Sequence, residues 1–293
     1  MEWIIFASFS ALFSAAAAIS EKRVLFNLSA LQFSFLVSLF NLLFSVPFLI
    51  SVDFSKIESI GFLILFLKSF LGALSFLFVM LSIKNFEISK ALPLLVLTPG
   101  FTAIAAFLFL GESLSSLEIL GMVLLLIGTY TIEKNTSSDL LAPLKIFIKS
   151  GKHHYIIIAI LLFTVTSVLD KLLLLDFKFS PTSMMSVQHL FSAFIFLLIV
   201  LLKREKPANI FQSAFKENLI KWLILISIFT IGYRLFQFEA VKLAPVALVL
   251  SVKRTSVFFA TIIGGRIFRE GDLMRKSIAT IILLVGAILI FNG

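Results

Sequence analysis

The 293-residue chain is 60% apolar, 14% aromatic and 14% charged, contains no cysteine, and carries a net charge of +9. Soluble domains are nearer one half apolar and one quarter charged, so this composition excludes disorder and most soluble folds. The missing cysteines exclude a disulfide scaffold, thiol chemistry and a cysteine-built zinc site.

One crossing per ~29 residues, a helix of ~20 plus a short loop, predicts ten membrane spans. Apolar runs place them at 3–20, 30–50, 61–83, 91–110 and 117–132, then at 155–169, 182–202, 219–241, 246–268 and 276–291. The first run is preceded by Glu2 and by no Lys or Arg, so it reads as a retained helix rather than a signal peptide. The longest connections, 133–154 and 203–218, are polar and basic. Residues 134–154 are expected to be a cytoplasmic linker between halves spanning 1–133 and 155–293.

With ten spans both termini lie on one face of the membrane. That face carries four Lys or Arg residues (Lys56, Lys171, Lys178 and Lys242), whereas the opposite face carries 17, including Lys22, Arg23, Lys84 and Lys276. The positive-inside rule therefore predicts extracytoplasmic termini in a cell (inner) membrane, with loops 133–154, 203–218 and 269–275 in the cytoplasm. The positive charge is thus read as topology, and no motif points to nucleic acid.

A shift of 158 residues lays 63–128 on 221–286 without a gap, matching Ser69 with Ser227, Lys84 with Lys242, Glu112 with Glu270 and Gly128 with Gly286. A shift of 149 lays Glu21-Lys22 on Asp170-Lys171. An odd number of helices per copy reverses the second copy in the membrane. The expected fold is an all-α membrane protein, ten transmembrane helices in two inverted five-helix repeats, an arrangement that secondary transporters use with the substrate between the halves.

The stretch TPGFTAIAAFLFLGESLSSLEILGMVLLLIGTYTI (98–132) has a Pro-led helix, a Gly-Glu pair at its exit and a Gly-rich helix after it. It resembles the fourth and fifth helices of an EamA domain. The segment SVKRTSVFFATIIGGRIFREGDLMRKSIATIILLVGAILIF (251–291) repeats the pattern with Arg269-Glu270 at the exit. The resemblance, to the drug/metabolite transporter superfamily over nearly the whole chain, implies alternating-access transport of a small metabolite.

Four basic residues fall inside predicted spans: Lys68, Arg234, Lys253 and Arg254. A charge at the bilayer centre costs roughly 2.5–3.5 kcal/mol on insertion scales, so each demands a role. Counted from the helix ends, Lys68, His189, Arg234 and Lys253 share one layer with Gln188, Tyr233, Gln237 and Arg254. Lys253-Arg254 replaces Leu95-Val96 of the first copy, and so breaks the repeat. The pair resembles the Lys-Arg that contacts phosphate in the ninth helix of sugar-phosphate/phosphate translocators. The candidate substrate-binding residues are Lys253, Arg254, Arg234, Tyr233, Lys68, His189 and Gln188, although a lysine placed like Lys68 can snorkel to the surface.

No carboxylate falls in the middle of a predicted span, and the first has none between Trp3 and Ser20. The small multidrug resistance exporters depend on such a Glu, so a cation exporter is disfavoured. Asp53, Asp139, Asp170, Asp176 and Asp272 fall in loops or at helix ends, the histidines lack ligand spacing, and there is no Gly-rich phosphate loop. No enzyme activity, cofactor or metal is expected, and no obligate protein partner is evident. The expected function is transport of a small anionic or zwitterionic metabolite, an amino acid or organic acid. The alternatives are exchange of phosphorylated metabolites and a non-transporting scaffold or lipid-handling role.

Overall fold

A computed structural model of the protein describes residues 2–110, 115–133 and 151–292. The expected linker's residues 134–150 and the helix-exit Glu112 lie outside them. The described residues form α1 (Glu2–Leu25), α2 (Ala30–Ile50), α3 (Ser59–Asn85), α4 (Ile88–Leu94), α5 (Thr98–Leu110) and α6 (Ser116–Glu133). They continue with α7 (Gly151–Leu175), α8 (Pro181–Leu202), α9 (Pro207–Lys216), α10 (Ile220–Leu243), α11 (Val246–Lys253), α12 (Thr255–Phe259), α13 (Gly265–Ile267) and α14 (Leu273–Asn292). Among these, α1, α2, α3, α7, α8 and α10 are long and apolar enough to cross a membrane. The remaining expected spans fall on α4–α5, on α6, on the run from α11 to α13, and on α14.

The principal packing partners are α1 with α10, α3 with α7, α2 with α8, and α6 with α14. Exchanging the two halves turns the first pair into the second and leaves the other two unchanged. Aromatic rings join these helices. Phe236 stacks with Phe9 at 5.4 Å and Phe13 at 5.9 Å between α10 and α1, and Phe66 meets Phe191 edge-on at 5.2 Å between α3 and α8. Two helix starts share a device. Ser29 caps α2 by accepting from the N–H of Gln32, and Ser180 caps α8 by accepting from that of Ser183.

The structure corrects several expected boundaries. Helices α1 and α7, on the expected first and sixth spans, run past Ser20 and Leu169, so Glu21, Lys22, Asp170 and Lys171 are helical rather than loop residues. An apolar run stops at the first charge, but a helix stops only where its backbone does, and nothing in either stretch is Pro or Gly. Lys22 and Lys276, assigned above to cytoplasmic loops, are 7% and 3% exposed. Lys22 donates to the carbonyls of Ile83 (2.5 Å) and Phe86 (2.7 Å), closing the end of α3, and Lys276 pairs with Glu87. The expected loop 203–218 contains α9, which buries Ile210 and Ala214 one turn apart.

The expected fourth and ninth spans are each broken at equivalent places. Residues Leu95–Leu97 form a 3-10 turn between α4 and α5, and Arg254 forms a turn between α11 and α12. The 158-residue shift carries 95–97 onto 253–255. Pro99 explains the first break, because it offers no N–H to the Leu95 carbonyl. The Thr98 hydroxyl donates to that carbonyl instead, at 2.7 Å. The later run is interrupted again by a π-helical turn at Ala260–Gly264.

Candidate functional site

The second break is held by its own side chains. Lys253 Nζ donates to Gln237 Oε1 at 2.5 Å and lies 4.6 Å from the centre of the Tyr233 ring, both on α10. Arg254 reaches across the halves and donates from Nη2 to Thr98 Oγ1 at 2.9 Å, while its buried Nε has no hydrogen-bond partner among the described residues. Arg234 lies with its guanidinium 5.5 Å from the Tyr233 ring. Cation–π contact of this kind offsets part of the cost of removing a cation from water, but leaves its charge uncompensated.

These groups surround a cavity of about 110 Å³. Its wall includes Arg234, Lys253, Arg254 and Tyr233, together with Glu21, Asp170, Thr166 and Ser167. A smaller cavity of about 50 Å³ shares Phe76, Tyr233 and Arg234 with the first and is lined by Gln188 and His189. Six of the seven candidate residues therefore line one or both cavities.

Lys68 is the exception, and it does not snorkel to the surface. It is 1% exposed, its Nζ lies 2.6 Å from Asp170 Oδ1 and 2.6 Å from Gln188 Oε1, and the Phe238 ring centre is 5.0 Å away. Lys68 bridges a residue of the first cavity wall to one of the second without lining either. The pair neutralises a buried charge that would otherwise be prohibitive.

Two carboxylates that the sequence placed just beyond the first and sixth spans are helical and buried. Glu21 and Asp170 are 6% and 3% exposed, and both face the larger cavity. They are equivalent under the 149-residue shift, and that match was the signal for their common role; reading them as helix ends hid it. Asp170 is engaged by Lys68, whereas the Glu21 carboxylate has no hydrogen bond or ion pair among the described residues. Three cations thus share this cavity with one unengaged carboxylate, so an anion entering it meets net positive charge. Gln237 was placed in the polar layer by the sequence, but as a neighbour of Arg234; its amide oxygen instead serves Lys253.

Among the described residues, no three His, Asp or Glu side chains are placed to hold a metal ion. Apolar helices paired across two halves around a charged central cavity define a multi-pass membrane transporter. The chain belongs to the EamA-like transporter family, whose model matches residues 1–133 and 153–292. It is accordingly a transporter of a small-molecule substrate in a membrane, not an enzyme. One solved structure shares the fold with a TM-score of 0.61 at 12% identity, covering 96% of this chain and 95% of the other. No curated protein sequence matches the chain.

Proposed function

We propose that the protein carries a small anionic or zwitterionic metabolite, such as an organic acid or amino acid, by alternating access of two inverted five-helix repeats. The repeats span 1–133 and 155–293 around a cytoplasmic linker at 134–154, whose last residues, 151–154, form the first turn of α7. The observation that carries this reading is the imbalance in the larger cavity, where, among the described residues, Arg234, Lys253 and Arg254 face Glu21 as the one carboxylate not already engaged. A guanidinium fork suits a carboxylate, and a lysine beside it supplies a point charge. Glu21 can receive the ammonium of a zwitterion, and it disfavours a phosphate dianion relative to a singly charged acid.

The ten-span inverted topology is supported by the packing pairs, which interchange when the halves are exchanged, and by the equivalent breaks at 95–97 and 253–255. Broken helices at a repeat interface are where transporters place substrate sites and hinge motion. Rocking about these breaks opens the cavity to one face and then the other.

The test is counterflow in proteoliposomes with radiolabelled organic acids and amino acids, using the wild type and the Arg254→Gln and Lys253→Ala variants. Exchange that is saturable in the wild type and at least tenfold weaker in both variants is expected. Competition by phosphate esters but not by carboxylates would favour the phosphorylated-metabolite reading. Unaltered stability with no flux of any probe would leave a scaffold or lipid-handling role.

A further inference from the structure

The smaller cavity is chemically unlike the larger. Apart from Arg234, which the two share, its polar wall is uncharged: Ser38 and Asn41 from α2, Gln188, His189 and Ser192 from α8, and Thr230 from α10. Among the described residues, the Oδ1 of Asn41 (7% exposed) and the Nδ1 of His189 (5% exposed) have no hydrogen-bond partner. Buried polar atoms are almost always paired, so these two orphans on facing helices, with Thr230 Oγ1 a third in the same wall, point to something that completes them.

Their placement follows from the shared caps. Ser38 and Asn41 lie nine and twelve residues after the cap Ser29, while His189 and Ser192 lie nine and twelve after the cap Ser180. Residues three apart share a helix face. The cavity therefore forms where equivalent faces of the two halves meet, along the α2–α8 contact. Equivalent positions carry different hydrogen-bonding groups, Ser38 opposite His189 and Asn41 opposite Ser192.

We propose that this cavity is the subsite for an uncharged, hydroxyl-bearing end of the substrate, and that the substrate class is hydroxylated carboxylic acids. The proposal rests on the anion reading above: the carboxylate lies among Arg234, Lys253 and Arg254, and the hydroxylated end passes the shared Arg234–Tyr233 wall to Asn41 and His189. A hydroxyl both donates and accepts, matching an amide and a neutral imidazole, each of which offers both functions. An ammonium finds no carboxylate in this wall and meets Arg234. A plain alkyl chain leaves Asn41 and His189 unpaired, and sites built to hydrogen-bond a hydroxyl discriminate strongly against analogues that lack it.

The experiment is isothermal titration calorimetry on the purified full chain with glycerate, threonate and gluconate against propionate, butyrate and hexanoate. In the wild type at least one hydroxylated acid is expected to bind about tenfold or more tightly than its plain counterpart of equal length. Asn41→Leu should bring that ratio to within about threefold, chiefly by weakening the hydroxylated acid, and His189→Leu should also lower it. Should Asn41→Leu fail to fold, Asn41→Ser, which keeps a hydroxyl, should give an intermediate ratio. Equal affinity for each pair in the wild type, or equal weakening of both acids in the variants, overturns the proposal, and a cavity filled only by water gives that result. Binding of no acid in either series instead defeats the anion reading itself.

Discussion

Arg254 in the turn between α11 and α12 donates to the hydroxyl of Thr98 at 2.9 Å, so one break in the bundle is hydrogen-bonded to the other. Thr98 uses the same hydroxyl to donate to Leu95, replacing the N–H that Pro99 lacks. One side chain thereby repairs its own helix and holds the guanidinium of the opposite half beside the cavity.

Thr98→Val keeps the shape and removes both bonds. A hydrogen bond to a charged group contributes roughly 1.5–3 kcal/mol, and partial exposure of Arg254 argues for the lower end. The expected result is a loss of about 1–2 kcal/mol of stability together with a several-fold weaker anion affinity. Thr98→Ser should restore both. Thermal unfolding in detergent and titration with a bound acid read the two effects separately.

Lys68 and Asp170 should behave as a unit. Lys68→Met or Asp170→Asn alone leaves a buried group without its partner, and breaking a buried pair costs roughly 3–5 kcal/mol. Lys68→Met combined with Asp170→Leu removes both charges and should recover most of the loss. A double-mutant cycle on chemical unfolding in micelles measures the coupling; additive losses would show that the two side chains are independent.

The glycines matched by the repeat, Gly128 and Gly286, are not equivalent in cost. A Cβ at Gly286 would lie 2.7 Å from the Gly121 carbonyl oxygen and 3.0 Å from the Leu125 nitrogen, which are backbone and cannot yield without moving α6. A Cβ at Gly128 would meet the Leu283 side chain at 2.6 Å and the Ala279 carbonyl oxygen only at 3.1 Å, so its tightest contact is with a side chain and its backbone contact is the looser one. Close backbone approach through small residues is how helices associate in lipid. Gly286→Ala should therefore destabilise by about 1–3 kcal/mol and Gly128→Ala by less. Equal melting temperatures for the two variants would contradict this packing account.

The topology is tested by fusing a fluorescent reporter that matures only in the cytoplasm to Gly293. With ten spans and basic loops inside, the fusion should insert but remain dark. A bright fusion would reverse the orientation or change the number of spans, leaving the cavity chemistry untouched.

The repeat and the helical, membrane-spanning character were legible in the sequence, because apolar runs and matched residues are local signals. So was the gathering of Arg234, Lys253, Arg254 and Tyr233, since their distances from helix ends set one layer. The partners were not. Lys68 looked able to snorkel because nothing local says that α3 packs on α7, where Asp170 waits. Glu21 looked like a helix exit because an apolar run ends at Ser20 while the helix continues to Leu25. Asn41 carried no signal until the caps Ser29 and Ser180 were aligned and the cavity between their helices was known.

Composition and periodicity alone determined that this chain is a helical membrane protein in two related halves, because the bilayer demands long apolar helices and duplication leaves matched residues. Tertiary structure decided which buried charges are already engaged and which remain available. That distinction depends on atoms of different helices approaching within hydrogen-bonding distance. Lys68 and Arg254 look alike as intramembrane cations in the sequence. One is neutralised by Asp170 across α3 and α7, and the other is held at the cavity wall by an uncharged hydroxyl.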